Sequence, residues 1–197
     1  NRYTKDYLMP SGRLREWRFG RKRANAIIVS KSPTELGSEE RQKIIEELKP
    51  ENYQKVYFSS IRYANLVPVN QKAKDTQLKI DNSTEVIAVT GIANPLPFLV
   101  HIENEFTVSK HFRYRDHYTF TITDIKTIRS YYEQVKNKNK IIISTEKDIM
   151  RLSLPALASE LEDLPLFYVP IEVGFADQNG SSMEHEILDY VRTNKRN

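Results

Sequence analysis

The run Glu85-Val86-Ile87-Ala88-Val89-Thr90-Gly91-Ile92-Ala93-Asn94-Pro95 constrains this chain more than any other stretch. Val86 to Val89 is a short apolar, mostly β-branched segment, the pattern of a strand covered on both faces. Gly91 admits backbone angles that a Cβ resists. Asn94 suits an N-cap, and Pro95 suits a first helical position, where its missing N–H would be unpaired anyway. A strand that turns straight into a helix leaves N–H groups beyond its carboxyl end. That edge is where open α/β sheets bind ligands and where helix N-termini attract anions. The same turn also serves simply as a connection, so Thr90 to Asn94 are candidates for both roles.

The rest of the chain alternates strands and helices around this run. Ala26 to Val29 reads as a strand. Ser38 caps a helix to about Leu48, with Glu39 and Glu40 in its first turn and Ile44, Ile45 and Leu48 on one stripe. Val56 to Ile61 is a second strand. Asn70 to Ser83 is polar and turn-rich, with a short edge strand expected at Gln77 to Ile80. A helix from Pro95 to about Glu103 precedes a strand over Phe106 to Tyr114. Thr121 or Thr123 caps a helix carrying Ile122, Ile125, Ile128, Tyr132 and Val135 at helical spacing. Lys140 to Ser144 is a strand, and Thr145 caps a short helix after it. Leu166 to Val173 is a last strand, broken at Pro170, before an amphipathic helix over Ser182 to Arg192. Strands separated by helices imply parallel pairing. The expected fold is α/β, a mostly parallel sheet with helices on both faces. Residues 24–197 form this domain, and residues 1–23 a basic, loop-rich leading segment.

Composition excludes several classes. The 197 residues contain no cysteine, so disulfide frameworks and thiolate metal sites are ruled out. No apolar run reaches the ~20 residues that cross a bilayer. No GxxxxGK[ST], GxGxxG or GxSxG is present. The four histidines, His101, His111, His117 and His185, include no helical pair at ligand spacing, so no metal site is expected. The chain starts at Asn1 rather than Met, as expected of a trimmed chain or of the later part of a longer protein.

The net charge of +4 is locally concentrated. Arg13, Arg15, Arg18, Arg21, Lys22 and Arg23 stand against Glu16, with Trp17 and Phe19 between them. Such a run is a solvated loop or an anion-binding surface, and nucleic acid, a phosphorylated substrate and an anionic membrane all suit the latter. Trp and Phe beside cations also fit a headgroup layer.

Two small constellations carry potential chemistry. In Tyr114-Arg115-Asp116-His117-Tyr118-Thr119-Phe120, an acid beside a histidine can fix the imidazole's tautomer if the side chains converge. Histidines at such positions also serve as surface or capping residues. In Ser144-Thr145-Glu146-Lys147-Asp148, helix capping alone accounts for Thr145, Glu146 and Asp148. Lys147, at a strand's carboxyl end, can in addition meet a phosphate or a base.

Four blocks in order, Pro10-Ser11-Gly12-Arg13-Leu14-Arg15-Glu16, Val89 to Pro95, Asp116 to Phe120 and Thr145 to Asp148, make the chain similar to the C-terminal half of the tetraacyldisaccharide 4'-kinase family. The resemblance spans about residues 6–171. It departs from the family at Arg13, Trp17 and Arg115, where family members usually have Pro, and at Tyr118, where they have a second His. The resemblance implies the C-terminal part of a P-loop-type kinase. It implies transfer of the ATP γ-phosphate to the 4'-hydroxyl of a tetraacylated disaccharide 1-phosphate, on the cytoplasmic face of the bacterial inner membrane. ATP and Mg²⁺ would be held mainly by an N-terminal P-loop half, with which this chain would pair, and without which it is expected to be inert as a kinase.

By the same resemblance, Asp116 and His117 are the catalytic pair, His117 reaching a catalytic Asp of the other half. Arg15 and Glu16 would sit by the phosphates or the disaccharide. Thr90, Gly91, Asn94, Thr145, Lys147 and Asp148 would line the cleft, near the nucleotide. The implied partners are the lipid substrate and an anionic membrane surface, with no nucleic acid. The competing reading is a non-catalytic α/β module that binds anionic lipid or nucleic acid through residues 13–23.

Overall fold

A computed structural model describes residues 2–77, 80–175 and 183–194. The chain forms two compact units.

The first unit comprises Asn1–Arg62 and Glu172–Asn197. Strand β1 (Ala26–Val29) leads through helix α1 (Ser38–Leu48) to strand β2 (Lys55–Tyr63), and β1 and β2 pair in parallel, Ile27 opposite Val56. Ile44 and Leu48 on α1 bury against Leu36 and Phe58, because residues four apart share a helix face. The cap of α1 falls on Gly37 rather than Ser38, which is the first helical residue. Ahead of β1, the leading segment folds back on itself. The Leu14 amide donates to the Tyr7 carbonyl and the Met9 amide to the Leu14 carbonyl, each at 2.9 Å. A Cβ on Gly12 would lie 2.2 Å from the Tyr7 carbonyl oxygen, so this turn demands glycine for space.

The second unit, Tyr63–Ile171, is built on a five-stranded sheet. Its elements are β3 (Val67–Pro68), α2 (Gln71–Gln77), β4 (Glu85–Thr90), α3 (Leu96–Glu105), β5 (Thr107–Arg113), α4 (Ile122–Gln134), β6 (Lys140–Thr145), α5 (Glu146–Leu152), α6 (Pro155–Ala158) and β7 (Leu166–Val169). The order is β3-β7-β6-β4-β5, with β4 parallel to both β5 and β6, and β6 parallel to β7. Only β3 runs antiparallel, against β7.

The pleat of β4 explains its unbroken apolar run. Val86 and Ala88 face a core that contains Phe98 and Ile102 of α3, whereas Ile87 and Val89 face the opposite core with Ile125 and Ile128 of α4 and Leu152 of α5. Helices therefore cover both faces, as the sequence predicts.

Two local expectations need correction. Gln71–Gln77 is a helix where the sequence suggests turns, and Gln77 ends it instead of opening a strand; Leu78 and Lys79 of that expected strand lie outside the described residues. The helix after β4 starts at Leu96 with Pro95 in the cap position, one residue later than expected, although the Asn94 side chain still accepts the Leu96 amide at 3.3 Å. The break at Pro170 separates β7 from β8 (Ile171–Phe175), which neighbours β2 in the three-stranded sheet. The last described helix, α7, spans Met183–Asn194, and Ser182 of the expected helix lies outside the described residues.

Candidate functional site

The carboxyl ends of β4 and β6 lie side by side, Val89 opposite Ser144. The Ser144 hydroxyl donates to the Val89 carbonyl at 2.8 Å and ties the two ends together. Beyond them, Asp148 in the first turn of α5 is fully buried. Its Oδ2 accepts the Gly91 amide and the Thr145 hydroxyl, both at 2.8 Å. The Thr145 hydroxyl in turn accepts the Asp148 amide at 3.2 Å, which caps α5. Arg151 Nη1 completes the network, 3.2 Å from Asp148 Oδ1 and 3.4 Å from the Gly91 carbonyl.

This network changes the meaning of the strand-end glycine. Gly91 has no left-handed φ. A Cβ there would lie 3.1 Å from Asp148 Oδ1 and 3.5 Å from both Phe120 and Tyr118. A side chain here would crowd the Asp148 carboxylate, and the glycine N–H is engaged by that same internal carboxylate. Gly91, Thr145 and Asp148 thus form a buried frame behind the site, and Thr90, also buried, places its hydroxyl 2.8 Å from His111 Nε2 instead. Asn94 stands apart and is exposed, its side chain turned to the α3 N-terminus.

In front of the frame, the loop from Tyr114 to Thr121 is braced from within. Tyr114 stacks on Tyr118 with ring centres 4.6 Å apart, and Phe120 meets both rings edge-on. Thr121 and Asp124 form a reciprocal capping box at the start of α4, and the Tyr118 hydroxyl donates to Asp124 at 3.2 Å. Burial, together with the nearby Asp124 carboxylate, pushes the Tyr114 phenol up to about 12.

At the tip of this loop His117 takes a left-handed backbone, φ 59°. Its amide donates to Asp116 Oδ1 at 3.0 Å, which helps a residue with a Cβ to hold that conformation. The imidazole side chain is 74% exposed. Lys147 Nζ donates to Asp116 Oδ1 at 3.0 Å and lies 3.4 Å from His117 Nε2, while Arg151 Nη2 lies 3.4 Å from Nδ1. The Lys147 hydrogen bond is the main reason that the Asp116 carboxyl sits below its ordinary range. Asp116, His117 and Lys147, from two sequence blocks, are brought together. Arg151, which sequence reasoning passed over, joins them. The available signal was its place one turn after Lys147, on the same face of α5.

Arg15 and Glu16 belong to the first unit. Arg15 is exposed, and Glu16 pairs with Arg23. The other cations of this segment are partly engaged. Arg18 donates to the Asp6 carbonyl at 2.7 Å and lies over the Tyr7 ring, and Arg21 and Lys22 lie 3.7 and 3.4 Å from Glu51. The aromatic residues are not tucked away. Trp17 and Phe19 stack with centres 6.4 Å apart and are 66% and 68% exposed.

Among the described residues no three His, Asp or Glu side chains converge to hold a metal ion. None of their helices is long and apolar enough to cross a membrane. The Gly91 amide donates to Asp148 and is therefore not available to a phosphate.

Fold and site together define an α/β sheet protein with an imidazole–carboxylate–cation cluster at the carboxyl ends of parallel strands. The sequence model of the family described as tetraacyldisaccharide-1-P 4'-kinase, LpxK, matches residues 1–191, and the chain belongs to that family. It is 34% identical to the tetraacyldisaccharide 4'-kinase of Bacteroides thetaiotaomicron and 37% identical to that of Parabacteroides distasonis, over 99% of this chain and 53% of each relative. The chain spans about half the length of the curated relatives it matches. A solved LpxK structure from Aquifex aeolicus in complex with ATP aligns over 96% of this chain and 48% of its own, with 18% identity and a TM-score of 0.49.

Proposed function

We propose that this chain supplies one wall of a lipid A 4'-kinase, the other wall and the phosphate-binding loop lying in the half of the relatives' length that it does not span. The observation that carries the reading is the exposed His117, held at a loop tip between Asp116, Lys147 and Arg151, in a chain of this family. ATP, when bound, supplies the γ-phosphoryl group that goes to the 4'-hydroxyl of a tetraacylated disaccharide 1-phosphate. ATP and Mg²⁺ are held mainly by the other half, together with its phosphate-binding loop.

The residues of this chain orient and steer. His117 presents its imidazole to a carboxylate of the other half that takes the hydroxyl proton, and Asp116 holds the His117 backbone and Lys147 in place. Arg15 is a bidentate donor for a substrate phosphate, and Glu16 orients the segment through Arg23. Lys147 gives the cleft a positive charge, with Thr90, Gly91, Asn94, Thr145 and Asp148 behind or beside it. Trp17 and Phe19, with their neighbouring cations, place the first unit on the anionic inner-membrane surface, where the acyl chains of the substrate reside.

The test is a mass-resolved assay with ATP, Mg²⁺ and the tetraacylated disaccharide 1-phosphate. The protein of full family length adds one phosphate at the 4' position, and the 197-residue chain alone adds none. Phosphorylation by the chain alone, or none by the longer protein, contradicts the reading.

A further inference from the structure

The leading segment of the first unit carries a cavity of about 600 Å³ walled by Tyr7, Leu8, Leu14, Trp17 and Phe19. Asp6, Ser11 and Arg18 complete its lining. Tyr7, Trp17 and Phe19 are all exposed. Single exposed apolar side chains are ordinary, but large ones side by side mark an interaction site.

The walls are held in place by the segment's own bonds. The Leu14 amide donates to the Tyr7 carbonyl and the Gly12 amide to the Leu8 carbonyl, each at 2.9 Å. Arg18 Nη2 donates to the Asp6 carbonyl at 2.7 Å, and the guanidinium lies 5.6 Å from the centre of the Tyr7 ring. Arg18 opens a 3-10 helix, Arg18–Arg23, and Gln54 Nε2 ties the end of that helix down by donating to the Arg21 and Ala24 carbonyls, both at 2.7 Å.

These bonds also decide what fits. The amides of Tyr7 and Arg13 are taken by Asp6 Oδ1, at 2.9 and 3.1 Å, and those of Met9, Gly12 and Leu14 by carbonyls. A peptide laid here would bury polar groups of its own with few partners, which is costly. A hydrocarbon chain brings no polar groups. The surrounding charge selects the head group: residues 2–23 hold eight Lys and Arg against Asp6 and Glu16, which attracts an anion.

We infer that this cavity takes one acyl chain of the phosphorylated lipid acceptor, with the anionic head among the arginines of the segment. The source of the chain rests on the kinase reading, in which Arg15, next to Leu14, meets a phosphate of that lipid; the preference for an anionic alkyl chain does not. Trp17 and Phe19 are then walls of a pocket for a single chain as well as residues that meet a headgroup layer.

The test is titration of the 197-residue chain with butyl, octyl and decyl phosphate below their micelle concentrations, read by the emission of Trp17, the single tryptophan. Octyl and decyl phosphate are expected to shift it to the blue and to saturate, binding tightening about two- to fourfold per added methylene. Butyl phosphate and decyl maltoside, which has a neutral head, bind far more weakly. Leu14→Gln removes the dependence on chain length, and Phe19→Ser, at an exposed position, does the same if Leu14→Gln does not fold. Binding that does not saturate, ignores chain length, is as tight for decyl maltoside or survives the folded variants overturns the proposal. In the protein of full family length, Phe19→Ser is expected to raise KM for the lipid acceptor and to leave KM for ATP unchanged; an unchanged acceptor KM overturns the assignment to the substrate's chain. Absence of kinase activity in the full-length protein leaves the alkyl phosphate titration as expected and counts against the kinase reading, not the pocket.

Discussion

The Asp148 carboxylate accepts the Gly91 amide at 2.8 Å, across 57 residues of sequence, and so joins the turn after β4 to the first turn of α5. The same carboxylate takes the Thr145 hydroxyl and meets Arg151, so that three groups converge on one buried carboxylate. A buried charge is tolerated when it is paired and hydrogen-bonded, and costly when its partners are removed or left behind.

Replacing it isolates those partners. Asp148→Ala leaves the Gly91 amide and Arg151 without their acceptor and is expected to destabilise the chain by about 3–5 kcal/mol, the range for breaking a buried pair from one side. Urea unfolding of both proteins measures this. A loss under about 1 kcal/mol, typical of surface substitutions and exposed ion pairs, would mean that the frame is not a structural support.

Asp116 gives a pH signature. Its carboxyl is lowered chiefly by the Lys147 hydrogen bond, so its contribution to stability is present above the unfolded carboxyl value and is lost as pH falls through the lower folded value. Lys147→Met is expected to let Asp116 titrate nearer the ordinary value of about 3.9 and to flatten the acid limb of the stability curve. Carboxyl carbon NMR against pH checks both parts. An unchanged Asp116 midpoint would assign the shift to another cause.

The chain has a single tryptophan, and it lies in the basic segment, so its fluorescence reports on that surface directly. Trp17 emission is expected to shift to the blue with phosphatidylglycerol vesicles and not with neutral ones. Phe19→Ser and added salt weaken the effect, each Lys or Arg near the surface being worth ~1 kcal/mol. A salt-sensitive DNA complex with no vesicle response would instead support a nucleic-acid surface.

The sheet was legible because its signals are local. The alternating apolar residues of β4 and β6 sit in cores on both faces, and Thr121 and Thr145 cap the helices that follow. Helix α2 was not legible, because Ala73 is its only residue with an apolar side chain among Gln71 to Gln77. It is held by Asn70, which accepts the Ala73 amide and donates to the Leu161 and Leu164 carbonyls, partners about 90 residues away. The same limit applied to the site. Asp116, His117, Lys147 and Asp148 stood out as blocks of sequence, but Arg151 gains its meaning from contacts 60 residues back at Gly91 and 34 back at His117. Gly91 was expected to serve a turn angle. Its reason, the approach of Asp148, is a tertiary one.

The most direct measurement is the turnover of His117→Ala in the protein of full family length, with tetraacylated disaccharide 1-phosphate as acceptor. Because the imidazole side chain is exposed, the substitution should leave the fold intact. The rate is expected to fall by ~10²–10⁴, as for loss of a group that assists proton transfer, with little change in KM for ATP. Near-normal turnover in a folded His117→Ala protein would contradict the assignment of this face to the phosphotransfer cleft.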